Sequence, residues 1–412
     1  MESYSVKLGD IVNCLDYKRI PISSKEREKK KGPYPYYGAQ GIVDYIDNYI
    51  FDGMYMLVAE DGENLRSQNE PIAQIVKGKY WVNNHAHILE SNGKCDIRFV
   101  CYYLNTLNIR GYITGSAQPK LNQDNLLSIK MILPSLKMQK ELADVLDKMD
   151  SKISLNTRMN AELEAMAKQL YDYWFVQFDF PDENGNPYKS SGGKMIYNST
   201  LKREIPAGWE VTSIGDLITT ERGISYSTPN ISSGNGVPML NLATFMPGGG
   251  DYKASGLKHY LGDYPPSKVL KPYDLIMCNT QQTAIKFETD IIGRAMLVPD
   301  IFEGDIVFSH HVNIIKTKND DLKYYLLYLF NSDYYHKYIS GYTNGTNILG
   351  LSFNGVSEYN LEMPPDAILE QFASLILDIA KKKSLIFKES SNLTHLRDSL
   401  LPMLMNGQVT VE

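Results

Sequence analysis

Two pairs of histidines are the first residues in this 412-residue sequence whose spacing could support chemistry. His85 and His87 lie two positions apart, and His310 and His311 are adjacent. Neutral imidazole is a common zinc ligand, but a zinc site needs further ligands at a suitable spacing. No carboxylate or cysteine recurs at such a spacing beside either pair, so we interpret these histidines as structural and expect no bound metal.

Catalytic motifs are the second kind of chemistry to consider. Ser191-Gly-Gly-Lys194 lacks the leading glycine and the hydroxyl after lysine that a phosphate-binding GxxxxGK[ST] loop needs, so we expect no ATP hydrolysis. No Ser-His-Asp signature is present, and Glu60-Asp61 alone does not make a nuclease site. We therefore predict a non-catalytic chain that requires no cofactor.

Contact with nucleic acid is the third. Lysine, arginine and hydroxyl groups bind phosphates, whereas amides and other polar side chains read base edges. The candidates in the first half are a basic segment, two tyrosines after it and a later polar loop: Lys25, Arg27, Lys29, Lys30, Lys31, Tyr36, Tyr37, Gly115, Ser116, Gln118 and Lys120. A solvated loop and tyrosines that only pack at an edge are the alternative interpretations.

The second half offers a comparable set. Its candidates lie after a first strand, after an apolar strand and in a loop between residues 341 and 347: Arg222, Tyr226, Asn279, Thr280, Gln281, Gln282, Asn344, Thr346 and Asn347. Ordinary turn chemistry is the alternative explanation for the run from Asn279 to Gln282. The net charge of −6 does not itself indicate nucleic-acid binding, although a local basic face can coexist with it.

Two long helices must position these residues. Apolar residues at alternating steps of four and three predict a heptad pattern between residues 134 and 178, at Leu142, Leu146, Met149, Ile153, Asn156, Asn160, Leu163, Ala167, Leu170 and Trp174. The same rhythm follows Gln371, at Leu375, Ile379, Lys382, Ile386, Glu389, Leu393, Leu396, Leu400 and Met403. A rise of about 1.5 Å per residue makes the first helix roughly 60 Å long.

Each helix could be an ordinary amphipathic helix on a globular core. Because the two have matching lengths and similar lead-in sequences, we favour helices that pair with each other.

Outside the two long helices, the sequence shows the same mixed pattern of strands and helices twice, first in residues 5–133 and again in residues 209–365. Gly115, Leu121 and Pro134 recur at identical spacing as Gly345, Leu351 and Pro364, and a glutamine, Gln139 or Gln371, then opens each long helix. This predicts an internally duplicated α+β fold. The predicted segments are domains at 1–134 and 205–365, helical regions at 135–179 and 366–412, and a turn-rich linker at 180–204.

Four cysteines without a CxxC pair, and no apolar run near the roughly 18 residues that a membrane span needs, favour a cytoplasmic location without membrane contact.

This organisation resembles the specificity subunit of Type I restriction-modification systems. The matching segments are Tyr37-Gly38-Ala-Gln-Gly41-Ile-Val-Asp-Tyr, Leu57-Val-Ala-Glu-Asp-Gly62, Gly115-Ser-Ala-Gln-Pro-Lys-Leu121, Leu133-Pro-Ser-Leu-Lys-Met-Gln139 and Ile205-Pro-Ala-Gly-Trp209. The resemblance implies two target-recognition domains separated by two long antiparallel coiled-coil helices in a pseudo-twofold arrangement. It also implies that each domain reads half of a bipartite site in double-stranded DNA.

The partners implied by the resemblance are two DNA adenine methyltransferase subunits and a restriction motor-nuclease subunit. Pro364-Pro365 lacks the flanking residues of an amino-methyltransferase motif, which fits a chain that directs methylation by others. Since the halves differ outside the shared motifs, we predict an asymmetric target. Because the chain carries both halves, we also predict one copy of the chain per complex. A stand-alone DNA-modifying enzyme and a coiled-coil assembly scaffold without DNA affinity are the alternatives.

Overall fold

The computed structural model describes residues 4–116, 118–282 and 289–405, which belong to two compact units. Unit 1 comprises Met1–Ser154 with Ser391–Glu412, and unit 2 comprises Leu155–Ser390. The prediction of a duplicated α+β fold with two long helices is confirmed.

Unit 1 contains strands and short helices in a mixed order. The strands are β1 Tyr4–Lys7, β2 Val12–Cys14, β3 Lys31–Gly38, β4 Gly41–Ile46, β5 Phe51–Ala59, β6 Ala73–Val82, β7 Ala86–Ser91 and β8 Lys130–Leu133. The helices are α1 Ser24–Glu28, α2 Asn64–Ser67, α3 Ile97–Thr106 and α4 Gln123–Ser128. Six strands form one sheet in the order β2-β7-β5-β6-β3-β4, and β1 pairs with β8.

The centre of this sheet is β5, which is covered on both faces. Successive side chains of a strand point to opposite faces. Met56 and Val58 accordingly pack into a core with Phe99 of α3, whereas Leu57 packs with Tyr80 on the other face. The run of apolar residues in β5 is thus explained by burial on both sides.

Unit 2 repeats this plan with more strands. They are β9 Met195–Asn198, β10 Arg203–Pro206, β11 Glu210–Ser213, β12 Ile218–Arg222, β13 Ile231–Ser232, β14 Val237–Leu240, β15 Lys258–Tyr260, β16 Val269–Leu270, β17 Leu275–Cys278, β18 Thr280–Gln282, β19 Ala295–Leu297, β20 Ile306–Phe308, β21 Val312–Thr317, β22 Thr343–Asn344, β23 Ile348–Leu351 and β24 Asn360–Met363. Its larger sheets have the orders β12-β21-β17-β19 and β13-β15-β14-β20-β16.

The strand β17 is the counterpart of β5. Leu275 and Met277 face one core and Ile276 and Cys278 face another, so both sides are again buried. The helices in this part of the chain are α6 Leu322–Asn331, α7 Asp333–Ile339 and α8 Phe353–Glu358.

The two long helices are α5 Leu136–Tyr171, followed by a π-helical turn at Asp172–Val176, and α9 Asp366–Met405. Within unit 2 they run antiparallel, because Asn156 hydrogen-bonds Glu389 at 2.8 Å while Glu164, further along α5, binds the earlier residue Lys383 at 2.5 Å. No helix in the described parts of the chain combines the length and the apolar character that crossing a bilayer requires.

Unit 1 contains the opposite ends of the same helices. Asp150 of α5 accepts a hydrogen bond from Arg397 of α9 at 2.7 Å, and Leu400 and Leu401 pack against the core that contains Leu142.

The heptad positions predicted for α9 are partly wrong. Leu375, Lys382, Leu396 and Met403 are exposed, and the buried face instead passes through Phe372, Ile376, Lys383 and Ile386. The predicted spacing of four and three residues is right, but every second predicted position is one residue away from the buried one. At these positions two similar side chains are adjacent, as with Leu375 and Ile376 or Lys382 and Lys383, and the spacing alone does not decide which is buried. The predicted seam of α5 contains no exposed residue.

Two further expectations need correction. Gln139 is fully buried and its Nε2 donates to Pro134 O, but Gln371 is exposed and lies two residues later relative to its proline. The segment at 180–204 is not a free linker, because β9 and β10 form a hairpin and Phe180 is buried between Tyr188 and Trp209.

Candidate nucleic-acid interface

The polar loop predicted in each half contains a glycine that no other residue could replace without strain. Gly115 has φ +84° and Gly345 has φ +118°, conformations that disfavour a side chain. A Cβ added to Gly115 would lie 2.2 Å from Gln118 O, and one added to Gly345 would lie 2.0 Å from Ile348 O. In both loops the backbone turns so tightly that the glycine lies against the carbonyl oxygen three residues later. This shared feature supports an origin of the two loops by duplication.

The end of the central strand has the same backbone contacts in both units. Glu60 N donates to His85 O and Asn279 N donates to His311 O, each at 2.9 Å. Leu121 N then donates to Glu60 O, and Leu351 N donates to Asn279 O, each at 2.8 Å. Glu60 and Asn279 are thus equivalent positions beside equivalent loops, and this equivalence was not apparent from the sequence.

In unit 1 this position belongs to an ion network. The Glu60 carboxylate binds Arg19 NH1 at 2.7 Å and Lys120 Nζ at 3.1 Å. Burial would raise the pKa of the Glu60 carboxyl, but the hydrogen bonds from Arg19 and Lys120 outweigh it and lower that pKa below its usual value. Lys120, predicted as a DNA contact, is therefore exposed but already paired.

His87 is a buried member of the same network. Its Nδ1 lies 2.5 Å from Asp16 Oδ2 and its Nε2 lies 2.7 Å from Leu121 O, so both nitrogens are engaged in hydrogen bonds. Potential ligand atoms of Cys14, Asp16 and His87 lie within 4.8 Å of one another, a grouping that local spacing did not indicate. Burial raises the pKa of the Cys14 thiol to about 11, which disfavours the thiolate that a metal prefers.

The basic segment before β3 divides into two groups. Arg27 Nε binds Asp44 at 3.1 Å while its NH1 donates to Ile22 O, and Lys31 Nζ binds Asp44 at 2.5 Å. The hydrogen bond from Lys31 lowers the pKa of the Asp44 carboxyl to about 2. The three remaining cations point into solvent, and they are Lys25, Lys29 and Lys30.

The two tyrosines of β3 are packing residues. Tyr36 is 1% exposed, and its hydroxyl accepts a hydrogen bond from Ile22 N at 3.1 Å. Tyr37 is partly buried with its ring edge on Tyr80. Burial corrects the expectation that Tyr36 contacts DNA, because its side chain has no route to a groove.

The Gly115 loop presents exposed polar groups and is fixed by an arginine that we did not predict. Gly115, Ser116 and Gln118 are exposed, whereas Ala117 lies outside the described residues. Arg66 NH2 donates to Gly115 O at 2.5 Å and to Ser116 O at 3.0 Å. No sequence signal identifies Arg66, because it stands alone in a short helix 49 residues before the loop.

In unit 2, burial again corrects part of the predicted set. Asn279 is 6% exposed, and its Nδ2 donates to His310 O and to Asn313 Oδ1. Gln281 is 4% exposed, and its Oε1 accepts hydrogen bonds from two backbone amides. Both amides have internal partners that define the local structure, so neither presents its side chain to a duplex.

The residues around the histidine pair are held mainly by backbone contacts. Arg222 is exposed, and its Nε donates to His310 O at 2.7 Å. Tyr226 packs its ring edge on His310 at 5.4 Å. Burial, together with the neighbouring His310, lowers the pKa of His311 to about 4, so this ring is neutral near pH 7.

The exposed candidates of unit 2 surround its glycine loop. Asn344, Thr346 and Asn347 are exposed, and Thr280 is partly exposed with its hydroxyl donated to Asn279 Oδ1 at 2.6 Å. The side chain of Gln282 lies outside the described residues. The two units therefore present different polar side chains on one shared backbone geometry.

Two copies of one backbone framework that expose different polar residues define an internally duplicated, two-domain chain. The model of the Type I restriction modification DNA specificity domain matches residues 2–165 and 206–393. The chain belongs to this family, and members of this class are non-catalytic components of restriction-modification complexes.

Individual relatives agree with this membership. The chain is 24% identical over 411 residues to the Type I restriction enzyme MjaIX specificity subunit of Methanocaldococcus jannaschii, covering 95% of this chain and 90% of the relative. It is 25% identical over 391 residues to a putative type I restriction enzyme specificity subunit of Haemophilus influenzae, covering 93% and 91%.

A solved structure shares the fold. The crystal structure of a Type I restriction-modification S subunit from M. genitalium has a TM-score of 0.61 at 13% identity, over 98% of this chain and 96% of that one.

Proposed function

We propose that this specificity subunit reads an asymmetric, two-part sequence in double-stranded DNA and directs adenine methylation and restriction by partner subunits. The observation that carries this proposal is the pair of equivalent loops with different side chains. Where the loop of unit 1 exposes Ser116 and Gln118, the loop of unit 2 exposes, 230 residues later, Thr346 and Ile348. Two loops with a shared backbone framework and unlike side chains would read unlike half-sites, since base identity is recognised by side-chain donors and acceptors.

The residues we assign to DNA contact are those that the fold leaves exposed. Lys25, Lys29 and Lys30 would bind phosphates of the first half-site, and Ser116 and Gln118 would approach its bases. In the second domain we assign the approach to Asn344, Thr346 and Asn347, with Arg222 nearest the phosphates. The long helices would set the length of the unread gap, as half-site readers must sit about one helical turn, roughly 34 Å, or a multiple of it apart.

The partners we propose are two DNA adenine methyltransferase subunits and one motor-nuclease subunit around one copy of this chain. Native mass measurement of the assembled complex tests this composition, and two copies of the chain would contradict it. All four cysteines are free thiols, as is usual in a reducing compartment, which supports action in the cytoplasm.

Selection from a randomised duplex library tests the reading function. The chain, with its methyltransferase subunit, is expected to enrich two short and different half-sites at a fixed gap, with affinity that falls steeply with salt. Ser116→Ala with Gln118→Ala should relax one half-site, and Asn344→Ala with Asn347→Ala should relax the other. Enrichment of no split motif would overturn the proposed function, and loss of both half-sites from one loop pair would overturn the assignment of one half-site to each domain.

A further inference from the structure

Unit 1 contains a basic cavity that the predicted DNA-contact set does not include. It has a volume of about 390 Å³, and its described lining residues are Arg66, Arg110 and Ile113. Two guanidinium groups therefore share one small concave site. A site of this composition favours an anion, because two like charges at close range repel each other until a counter-charge enters.

Arg66 is the fixed member of the pair. Its NH2 is committed to the carbonyl oxygens of Gly115 and Ser116, while its NH1 lies 4.0 Å from the carboxylate of Glu63. The Glu63 side chain is 72% exposed, so this ion pair is weak. Among the described residues, Nε of Arg66 has no hydrogen-bond partner and NH1 has only this ion pair, so both keep donors for a ligand. The position of Arg66 is set by the loop it supports.

Arg110 is the open member of the pair. Its side chain is exposed, and the one hydrogen bond that its guanidinium makes in the described structure is a long contact of 3.5 Å from NH2 to Arg66 O. Within the described residues no carboxylate lies within 4.0 Å of it. A planar guanidinium with most of its five N–H donors available is suited to phosphate oxygens, which it can bind in bidentate geometry.

We propose that Arg66 and Arg110 form a phosphate-binding site, and that its ligand in the working complex is a backbone phosphate of the first DNA half-site. The second step rests on the proposed function. It is supported by continuity, because Arg66 holds the carbonyl groups of the same loop whose exposed side chains we assign to DNA. The site would fix the position of the duplex on the loop without reading its sequence.

The internal duplication makes this site specific to one domain. Arg110 begins a 3-10 turn, Arg110–Tyr112, and the corresponding turn 230 residues later is Ser340–Tyr342. The same offset relates Gly115 to Gly345, so Ser340 stands where the first domain has Arg110. The Ser340 hydroxyl donates to His336 O at 2.7 Å, and no cation replaces the arginine at this position. The two half-sites should therefore differ in their number of phosphate contacts.

The test uses the full chain with its methyltransferase subunit and two matched variants, Arg110→Gln and Ser340→Ala. The measured quantities are the duplex dissociation constant between low and high salt, the enriched motif, and binding of inorganic phosphate by calorimetry. We expect Arg110→Gln to weaken duplex binding by about tenfold and to lower the magnitude of the salt slope by about one, with an unchanged motif. Ser340→Ala should leave the affinity and slope unchanged.

The two sources of phosphate give different results. If Arg110→Gln abolishes binding of inorganic phosphate but leaves the duplex affinity and salt slope unchanged, the site takes free phosphate and the DNA assignment is overturned. If both measurements are unchanged, there is no phosphate site. A wild-type chain that binds phosphate through Arg110 but no duplex would defeat the proposed function and the DNA assignment while leaving the anion site established.

Discussion

Asn279 of the second unit occupies the backbone position that Glu60 occupies in the first. The backbone N–H of each residue donates to the backbone carbonyl of a histidine. The backbone carbonyl of each accepts a hydrogen bond from the N–H of a buried or partly buried leucine. The side chains nevertheless do different work, because Glu60 binds two cations whereas Asn279 hydrogen-bonds an amide and a carbonyl. One framework is consequently held by charges in unit 1 and by neutral amides in unit 2.

Substitution of either loop glycine, Gly115 or Gly345, should destabilise the fold. Gly115→Ala and Gly345→Ala each introduce a methyl group at positive φ against a backbone oxygen, which should cost about 1–3 kcal/mol of unfolding free energy. Each change should also blur one half-site in a library selection. Gly111→Ala and Gly341→Ala are matched controls, because an added Cβ would meet no non-neighbouring heavy atom within 4 Å at either glycine, and neither has a positive φ. Equal effects of control and test substitutions would exclude loop geometry as the cause.

Loss of the Lys383 charge in α9 should destabilise the protein much more than loss of the adjacent Lys382 charge. Lys383 Nζ lies 2.5 Å from Glu164 and 2.9 Å from Asp251, so Lys383→Met leaves two carboxylates without their cation. Because those carboxylates are partly exposed, we expect a loss of about 2–3 kcal/mol in urea unfolding. Lys382→Met, at the exposed position, should change stability by less than about 0.5 kcal/mol. A larger cost for Lys382→Met would restore the heptad positions first predicted from the sequence.

The exposed lysines of the basic segment should contribute affinity without specificity. Replacing Lys25, Lys29 and Lys30 by Gln should lower the magnitude of the salt slope by up to about three and leave the selected motif intact. Arg27→Gln should behave differently, since it removes contacts to Asp44 and Ile22 and should lower the melting temperature. Duplex titrations at several salt concentrations, combined with thermal unfolding, separate the two. A motif altered by the lysine changes would identify base contacts instead.

His311 should make unit 2 sensitive to mild acid. Burial lowers the pKa of His311 from 6.5 to about 4, so between these values the unfolded chain binds a proton that the folded chain does not. Stability therefore rises with pH across this window and falls on acidification. For this partly exposed ring we expect a loss of about 1 kcal/mol from pH 7 to pH 5. Hydrogen exchange of the amides of β17 and β21, measured at pH 7 and pH 5, reports this loss of stability. The His311→Asn variant should lose the pH dependence. If its pH profile is unchanged, the pH dependence belongs to another group.

The sequence predicts the elements that rest on local patterns. The long helices follow from heptad spacing, and the duplicated loop follows from Gly115 and Gly345 at equal distances from their prolines. These signals can be recognised in the sequence because helix periodicity and positive φ restrict the residue types over short stretches. The family resemblance gave the class of protein for the same reason, since its motifs are short and continuous.

What the sequence does not predict depends on contacts across long separations. The burial of Asn279 and Gln281 is decided by partners 10 to 34 residues away, and Arg66 reaches a loop 49 residues later. Composition alone does not distinguish an amide that caps a buried backbone from one that faces a groove. The choice between Leu375 and Ile376 is similar, because two adjacent apolar residues satisfy the same period and packing decides which is buried.

The pairing of β1 with β8, and of β11 with β24, has a consequence for inheritance. Tyr4 stands opposite Leu133 and Glu210 opposite Met363, so residues 4–133 and residues 210–363 each begin and end on neighbouring strands. Cα atoms paired in this way lie about 4.5–5.5 Å apart. A segment with joined ends can be exchanged as a cassette at two closely spaced points, with the flanking helix left in register. Under the proposed function, exchange of one such segment would replace one half-site of the DNA target in a single event.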